Sequence, residues 1–270
     1  MSFYYILQKR MKISLINKRY TSGSLFHYAH FLIDCVYPEV INEIYKYRTV
    51  TRIKSIDQTL GNFDGFYENI MGTKTTEILE AEFNKLDIKP IILPPKEHYA
   101  DIENLTKFRN YIFGRYSINS PLVVNRSSNY PKVLLIKRGG RTQLIDDPDL
   151  QKINKNVTTG KERREIKQIE RIGLFLNTKY GDDFRAVYLE KRTFEEQVNL
   201  FHHAQLIVMA HGAATSTILF CKPFTVILEV TCGMNFPWFN ECFHLLKINY
   251  LKTAINEPEI IINCLKKINV

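Results

Sequence analysis

Residues 206–217 read Leu-Ile-Val-Met-Ala-His-Gly-Ala-Ala-Thr-Ser-Thr, and this stretch decides the fold class. Residues 206–209 form an apolar run of strand length, whereas residues 213–220 predict a helix. Between them stands a turn in which His211 is followed only by glycine and alanine. A strand that passes through such a turn into a helix is the unit of parallel sheets with helices on their faces.

The same alternation extends outward through the second half of the chain. Predicted strands there are residues 132–136, 185–189, 206–209, 225–230 and 247–250. Predicted helices are residues 163–179, 194–204, 213–220 and 258–267. Strands that alternate with helices of this length predict a parallel sheet, in which ligands bind beyond the carboxyl ends of the strands.

The first half also alternates strands and helices. Strands are predicted at residues 51–56 and 91–93, and helices at residues 25–47, 75–86 and 105–118. Pro38 places a kink or a break inside the first of these helices. Residues 119–131 are rich in Ser, Asn and Pro and form the predicted linker. We therefore expect two lobes, residues 1–120 and 121–270.

The composition is that of an ordinary folded protein, with 45% hydrophobic and 24% charged residues among 270. The five cysteines are scattered and form no Cys-x-x-Cys pair, so neither a zinc site nor a disulfide framework is predicted. No apolar run approaches the roughly 20 residues that cross a bilayer, and no signal-peptide pattern opens the chain. We expect a cytoplasmic protein without a membrane span. The abundance of Ile, Asn and Lys suggests an AT-rich genome, so a viral protein in host cytoplasm is one expectation.

The formal charge of +9 is compatible with a nucleic-acid face, a membrane-surface face or a site for a small anion. The basic residues are spread along the chain and are not interleaved with aromatic residues, so nucleic acid is not an expected partner. Walker, Gly-x-Gly-x-x-Gly, Gly-x-Ser-x-Gly and His-Glu-x-x-His motifs are all missing from the sequence. Kinase, dehydrogenase, serine hydrolase and zinc protease functions therefore lose their main support.

The turn that begins at His211 has the features of an anion site. The first amides of a helix are unpaired and attract a negative charge, and Gly212 and Ala213 let a phosphate approach the backbone. His211 can donate to the phosphate, and the hydroxyls of Thr215 and Ser216 can add hydrogen bonds. The alternative is a tight connection between strand and helix, in which the turn only caps the N-terminus of the helix.

A second candidate loop, Lys137-Arg138-Gly139-Gly140-Arg141, also follows a predicted strand. The guanidinium groups of Arg138 and Arg141 can both turn toward one diphosphate. The alternative is a solvated basic turn. Because both loops fall at the same end of the predicted sheet, together they favour a diphosphate site.

Acidic and aromatic residues near the next strand end are further candidates. Glu229 ends the predicted strand 225–230 and can accept hydrogen bonds from ribose hydroxyls; the alternative is an exposed strand-end glutamate. The aromatic residues of 236–239 can stack on a base or a sugar, although such clusters are usually core. Asp146 and Asp147 can hold a metal-bound diphosphate, but a helix cap suffices to explain them.

His30 and Asp34 stand four residues apart on one face of the predicted helix 25–47. A carboxylate at that spacing can orient an imidazole and strengthen it as a general base. Two alternatives remain: a metal site that includes His27, and a buried histidine with a structural role.

Taken in order, these segments resemble glycosyltransferase family 61. The segments that carry the resemblance are His30-Phe31 with Asp34, residues 133–138 with Arg141, residues 193–198, residues 211–214 and residues 227–230. The sequence departs from the family where Thr215-Ser216-Thr217 replaces Leu-Thr-Asn, and where Asp146 or Asp147 replaces an expected asparagine.

The resemblance implies a GT-B arrangement, two Rossmann-like lobes with parallel sheets that face each other across a cleft. It implies an inverting, metal-independent enzyme without a cofactor, which transfers a xylose- or N-acetylglucosamine-type sugar from a UDP-sugar co-substrate to a glycan or glycoprotein hydroxyl. The acceptor lies mainly against the N-terminal lobe, with Asp34 or His30 as base. The donor is bound by the C-terminal lobe through Arg138, Arg141, His211, Gly212, Ala213, Thr215 and Glu229.

The alternative function is a non-catalytic module that binds nucleotides or carbohydrates on the same fold. It is motivated by the altered residues 215–217 and by the two candidates for the base.

Overall fold

The computed structural model describes residues 12–15, 28–44, 50–55, 63–72, 76–78, 82, 85, 101–118, 130–139, 164–231 and 240–270. The chain divides into two compact units, residues 1–112 and 113–270. Most of the predicted linker, residues 119–131, lies outside the described residues. The boundary expected between residues 120 and 121 therefore stays a prediction.

The first unit contains a three-stranded parallel sheet in the order β1-β2-β3. Its strands are β1 (Lys12–Leu15), β2 (Val50–Ser55) and β3 (Thr76–Ile78). A helical stretch runs from Tyr28–His30 through a π-helix at Phe31–Val36 into α1 (Tyr37–Ile44). Further along the described residues are the helices α2 (Phe63–Met71) and α3 (Ile102–Arg115), and the last three residues of α3 belong to the second unit.

Pro38 does not break the first helical stretch. The chain instead changes from π-helix to α-helix at Tyr37, one residue before the proline. A proline lacks the N–H that continues an α-helical ladder and clashes with the carbonyl four residues earlier. The wider π-turn before it avoids that conflict. Phe31, Val36 and Val40 on this stretch are buried.

The prediction of a helix at residues 75–86 is wrong for the first of these residues. Residues Thr76–Ile78 form β3, which pairs with β2 in the register Ile53↔Thr76. Threonine and isoleucine are β-branched and suit a strand, and pairing with β2 outweighs the helical spacing. The strand predicted at residues 91–93 lies outside the described residues.

In the second unit five strands form a parallel sheet. They are β4 (Val133–Lys137), β5 (Phe184–Tyr188), β6 (Leu206–Ala210), β7 (Val226–Val230) and β8 (Asn249–Thr253). Its described residues include the α-helices α4 (Ile169–Tyr180), α5 (Phe194–His203), α6 (Asn240–Leu245) and α7 (Pro258–Lys266). The predicted strands are confirmed to within a few residues, whereas the helix predicted from residue 163 begins at Ile169.

The sheet has the order β5-β4-β6-β7-β8, and every neighbouring pair is parallel. One face packs on α4 and α7 through a core that includes Leu135, Val208, Leu228, Ile172, Leu176, Ile261 and Leu265. In the described part of the chain, no helix is long and apolar enough to cross a membrane.

This strand order creates a crevice at the carboxyl ends of the strands. β5, the strand that follows β4 along the chain, pairs with one side of β4, and β6 pairs with the other side of β4. The connections that leave β4 and β6 therefore diverge to opposite faces. Sheets of this order bind ligands outside the carboxyl ends of the two strands at that switch point. Here those ends are Lys137 and Ala210.

Candidate functional site

The two predicted anion-binding loops meet at this crevice. β4 and β6 pair in the register Ile136↔Met209, so the residues that follow the two strands emerge side by side. The guanidinium of Arg138 donates a hydrogen bond from Nη2 to the backbone oxygen of His211. The guanidinium of the loop after β4 therefore lies against the turn that follows β6.

Gly212 allows this close approach. A Cβ atom placed on Gly212 would stand 1.5 Å from Nη2 of Arg138 and 2.7 Å from its Cζ. No side chain fits there while the guanidinium stays in place. The backbone of Gly212 is extended, with φ of 165°, which any residue can adopt. Glycine is therefore required for space at this turn and not for an unusual conformation.

The predicted helix after the turn is a 3₁₀-helix, Ala213–Phe220. Gly212, which precedes it, and its first residues Ala213 and Ala214 are half-buried, whereas residues 215–220 are buried. The Ser216 hydroxyl donates to the Ala213 oxygen at 2.8 Å, and the Thr215 hydroxyl donates to Glu229 at 3.1 Å. Because both hydroxyls donate within the protein, their direct binding of an anion stays a prediction.

Glu229 is buried, with 1% of its surface exposed, so the alternative of an exposed strand-end glutamate is wrong. Its Oε1 accepts hydrogen bonds from His211 Nδ1 at 2.9 Å and from the Thr215 hydroxyl at 3.1 Å. Its Oε2 accepts from the Tyr250 hydroxyl at 2.5 Å. Both carboxylate oxygens are thus bonded to protein groups, and the predicted contact with ribose stays a prediction.

These contacts keep the carboxylate of Glu229 ionised. Burial acts to raise the pKa of Glu229, but hydrogen bonds from His211, Tyr250 and Thr215 and the charge of His211 together lower it further than burial raises it. Burial, followed by the neighbouring carboxylate, raises the pKa of Tyr250, which keeps the phenol protonated as a donor. An ionised carboxylate can only accept, so His211 must carry its proton on Nδ1.

Two acidic residues that sequence reasoning missed hold the loop after β4. Glu190 Oε1 accepts from the Gly139 amide at 3.1 Å, and Glu170 Oε1 pairs with Lys137 Nζ at 2.7 Å. Lys137 is therefore turned toward α4, whereas Arg138 points to the crevice turn. Only the fold brings these acids to the loop, since they lie 51 and 33 residues away along the chain.

The other residues predicted for the site stay predictions. Arg141, Asp146, Asp147 and the aromatic residues of 236–239 lie outside the described residues. His30 ends the helical turn Tyr28–His30, and Asp34 lies in the π-helix Phe31–Val36. Their predicted role as base stays a prediction.

Fold and site together define an α/β protein in which Arg138 and the His211-Gly212 turn meet at the switch point of a parallel sheet. The sequence pattern of the family described as Glycosyltransferase 61 matches residues 28–228, well over half of the chain. The protein belongs to glycosyltransferase family 61. No curated protein matched the chain.

Proposed function

We propose that the protein transfers a xylose- or N-acetylglucosamine-type sugar from a UDP-sugar to a hydroxyl of a glycan or a glycoprotein. The observation that carries the proposal is the Arg138 guanidinium seated on the His211-Gly212 turn, at the switch point of a family 61 chain. A guanidinium beside backbone amides is the type of site that binds a diphosphate.

The charge of the crevice suits departure of the nucleotide. When the bond between the anomeric carbon and the diphosphate oxygen breaks, negative charge develops on UDP. A fixed positive group at that position lowers the barrier because it stabilises the transition state more than the substrate. Arg138 and His211, with Arg141 in the same role, are the proposed groups, and with them the transfer needs no metal.

Inversion in a single displacement requires a base on the acceptor side. Asp34 or His30 is the proposed base, because a carboxylate and an imidazole that hydrogen-bond to each other can take the proton from an attacking hydroxyl. In this proposal the acceptor lies against a lobe of residues 1–120 and the donor against a lobe of residues 121–270, in a GT-B arrangement.

Release of UDP tests the proposed function. The protein is incubated with UDP-xylose or UDP-N-acetylglucosamine, with and without glycan acceptors, and free UDP is measured over time. We expect release from one of the two donors, faster with an acceptor and unchanged by a chelator. Asp34→Asn should lower the rate by about 10²-fold or more, while UDP still binds.

A matched control and two contrary outcomes complete this test. Glu39→Gln removes another carboxylate from the same helical stretch and should leave UDP release unchanged. UDP binding without release from any donor and acceptor would support the non-catalytic module instead. If neither UDP nor either UDP-sugar binds, the proposed donor site is wrong.

A further inference from the structure

The peptide group between His211 and Gly212 is held from both sides. Its oxygen, which belongs to His211, accepts the hydrogen bond from Arg138 Nη2. Its N–H, which belongs to Gly212, donates to the hydroxyl oxygen of Thr215 at 3.4 Å. In a planar trans peptide the C=O and the N–H point in opposite directions, so neither can be turned without the other. The contact with Thr215 therefore bears on the orientation of the oxygen to which Arg138 binds.

Thr215 is itself fixed by Glu229 and by the backbone. Its hydroxyl donates to Oε1 of Glu229 at 3.1 Å, and its amide donates to the Gly212 oxygen at 2.9 Å. A hydroxyl has one proton, and because that proton points to the carboxylate, the lone pairs of the oxygen are left for the Gly212 amide. Thr215 is the third residue of the 3₁₀-helix, and its side chain reaches back to the amide before the helix, as the third residue of a capping box does.

The same contacts keep Thr215 and Glu229 from binding a donor directly. Thr215 is 2% exposed, and its hydroxyl proton is already donated to Glu229. Glu229 is 1% exposed, and its second oxygen accepts from the Tyr250 hydroxyl. Buried groups whose hydrogen bonds are made within the protein hold a structure in place but offer nothing to a ligand. These two side chains therefore act on the turn and not on the anion.

We propose that Thr215, oriented by Glu229, is a positioning residue of the donor site, which holds the His211–Gly212 peptide so that the guanidinium of Arg138 stays seated on the turn. This inference rests on the proposed function. Thr215 acts on the donor through the peptide and through Arg138. This indirect role replaces the predicted contacts of Thr215 with phosphate and of Glu229 with ribose.

Two substitutions of Thr215 test its hydroxyl. Valine has nearly the same shape but no hydroxyl, so it cannot donate to Glu229 or accept from Gly212. We expect Thr215→Val to weaken UDP binding by about two- to tenfold, the effect of one neutral hydrogen bond. Thr215→Ser keeps the hydroxyl and should bind UDP to within about twofold of the unmodified protein. The measurement is the dissociation constant of UDP by calorimetry.

A double variant separates the indirect role from a direct contact with the donor. If Thr215 acts by keeping Arg138 on the turn, its hydroxyl has no effect on UDP once the guanidinium is gone. Thr215→Val combined with Arg138→Ala should then bind UDP about as weakly as Arg138→Ala alone. A hydroxyl that touched the phosphate itself would give losses that add in the double variant.

Thr225→Val is the matched control, which separates positioning from stability. Thr225 is also a buried threonine, 3% exposed, and its hydroxyl donates to the Ala204 oxygen at 3.2 Å. It directly precedes β7, whereas Glu229 lies near the other end of that strand. The control should lower the midpoint of thermal unfolding and leave the dissociation constant of UDP unchanged. If the role of Thr215 were only structural, Thr215→Val would behave in the same way.

Amide hydrogen exchange tests the contact without any donor. The chain has 12 glycines, so isotope labelling of glycine alone gives an NMR spectrum in which single amides can be followed. The signal that is lost in Gly212→Ala identifies Gly212. Its amide should exchange about two- to tenfold faster in Thr215→Val than in the unmodified protein, because it has lost its acceptor. The rate should be unchanged in Thr215→Ser and in Thr225→Val.

The outcomes are distinguishable. Faster exchange of the Gly212 amide in Thr215→Val, with weaker UDP binding that does not add to the loss in Arg138→Ala, supports the inference. Three results overturn it and leave the proposed function standing: unchanged exchange in Thr215→Val, unchanged UDP binding in that variant, or losses that add in the double variant. Absence of UDP binding to the unmodified protein overturns the proposed function and this inference with it.

Discussion

Replacement of Arg138 by alanine is expected to weaken UDP binding by about 10- to 150-fold. A hydrogen bond to a charged group contributes about 1.5–3 kcal/mol, and each 1.4 kcal/mol is a factor of about ten in affinity. Arg138 bridges the ends of β4 and β6 through its bond to the His211 oxygen. The measurement is the dissociation constant of UDP by calorimetry, with thermal unfolding as a check of the fold.

Lys132→Ala is the matched control, since it also removes one positive charge. Lys132 directly precedes β4, at the opposite end of the strand from Arg138, and pairs with Asp183 at 2.8 Å on the surface. Its contribution is expected to be small because exposed ion pairs are weak. Equal losses in the two variants would show a general effect of charge and would contradict a site at Arg138.

Gly212→Ala is expected to weaken UDP binding nearly as much as loss of the arginine itself. The added Cβ would stand 1.5 Å from Arg138 Nη2, so the guanidinium must leave the turn. The backbone there is extended, and the flexible arginine can swing outward, so the midpoint of thermal unfolding should change little. The dissociation constant of UDP and that midpoint are measured together.

The double variant and a second glycine sharpen this test. If Gly212→Ala acts by displacing Arg138, then Arg138→Ala combined with Gly212→Ala should bind UDP about as weakly as Arg138→Ala alone. Gly114→Ala is the control, because a Cβ at Gly114 meets no atom within 4 Å. It lies within α3, where alanine is favoured over glycine, and should leave UDP binding unchanged. Additive losses in the double variant would rule out displacement of the arginine.

The sheet of the second unit could be predicted from sequence because its strands are continuous apolar runs. Residues of β4 and β6 are buried almost throughout, so periodicity and length suffice to find them. The order of the strands determines where the two loops meet, and the parallel arrangement alone predicted that Arg138 and His211 share one edge.

Other features depend on contacts that local sequence does not encode. Residues 76–78 became β3 because they pair with β2, which lies more than 20 residues earlier. The segment Ala213–Phe220 is a 3₁₀-helix instead of an α-helix. Its threonine and serine hydroxyls bond to nearby backbone and to Glu229, and such bonds compete with α-helical geometry.

The buried network around Glu229 was beyond sequence reasoning for the same reason. A glutamate at a strand end is usually exposed, and its burial becomes favourable only when donors converge on it. Tyr250 reaches Glu229 because β8 pairs with β7 in the register Ile227↔Tyr250, which puts the phenol on the same face of the sheet. No local pattern reveals that register.

A crystal structure with bound UDP tests the central claim most directly. The account predicts the diphosphate at the switch point, with its oxygens about 2.7–3.2 Å from the Arg138 guanidinium and from donors of the His211–Ala214 turn. A diphosphate bound away from the ends of β4 and β6, or one that contacts neither Arg138 nor this turn, would contradict it.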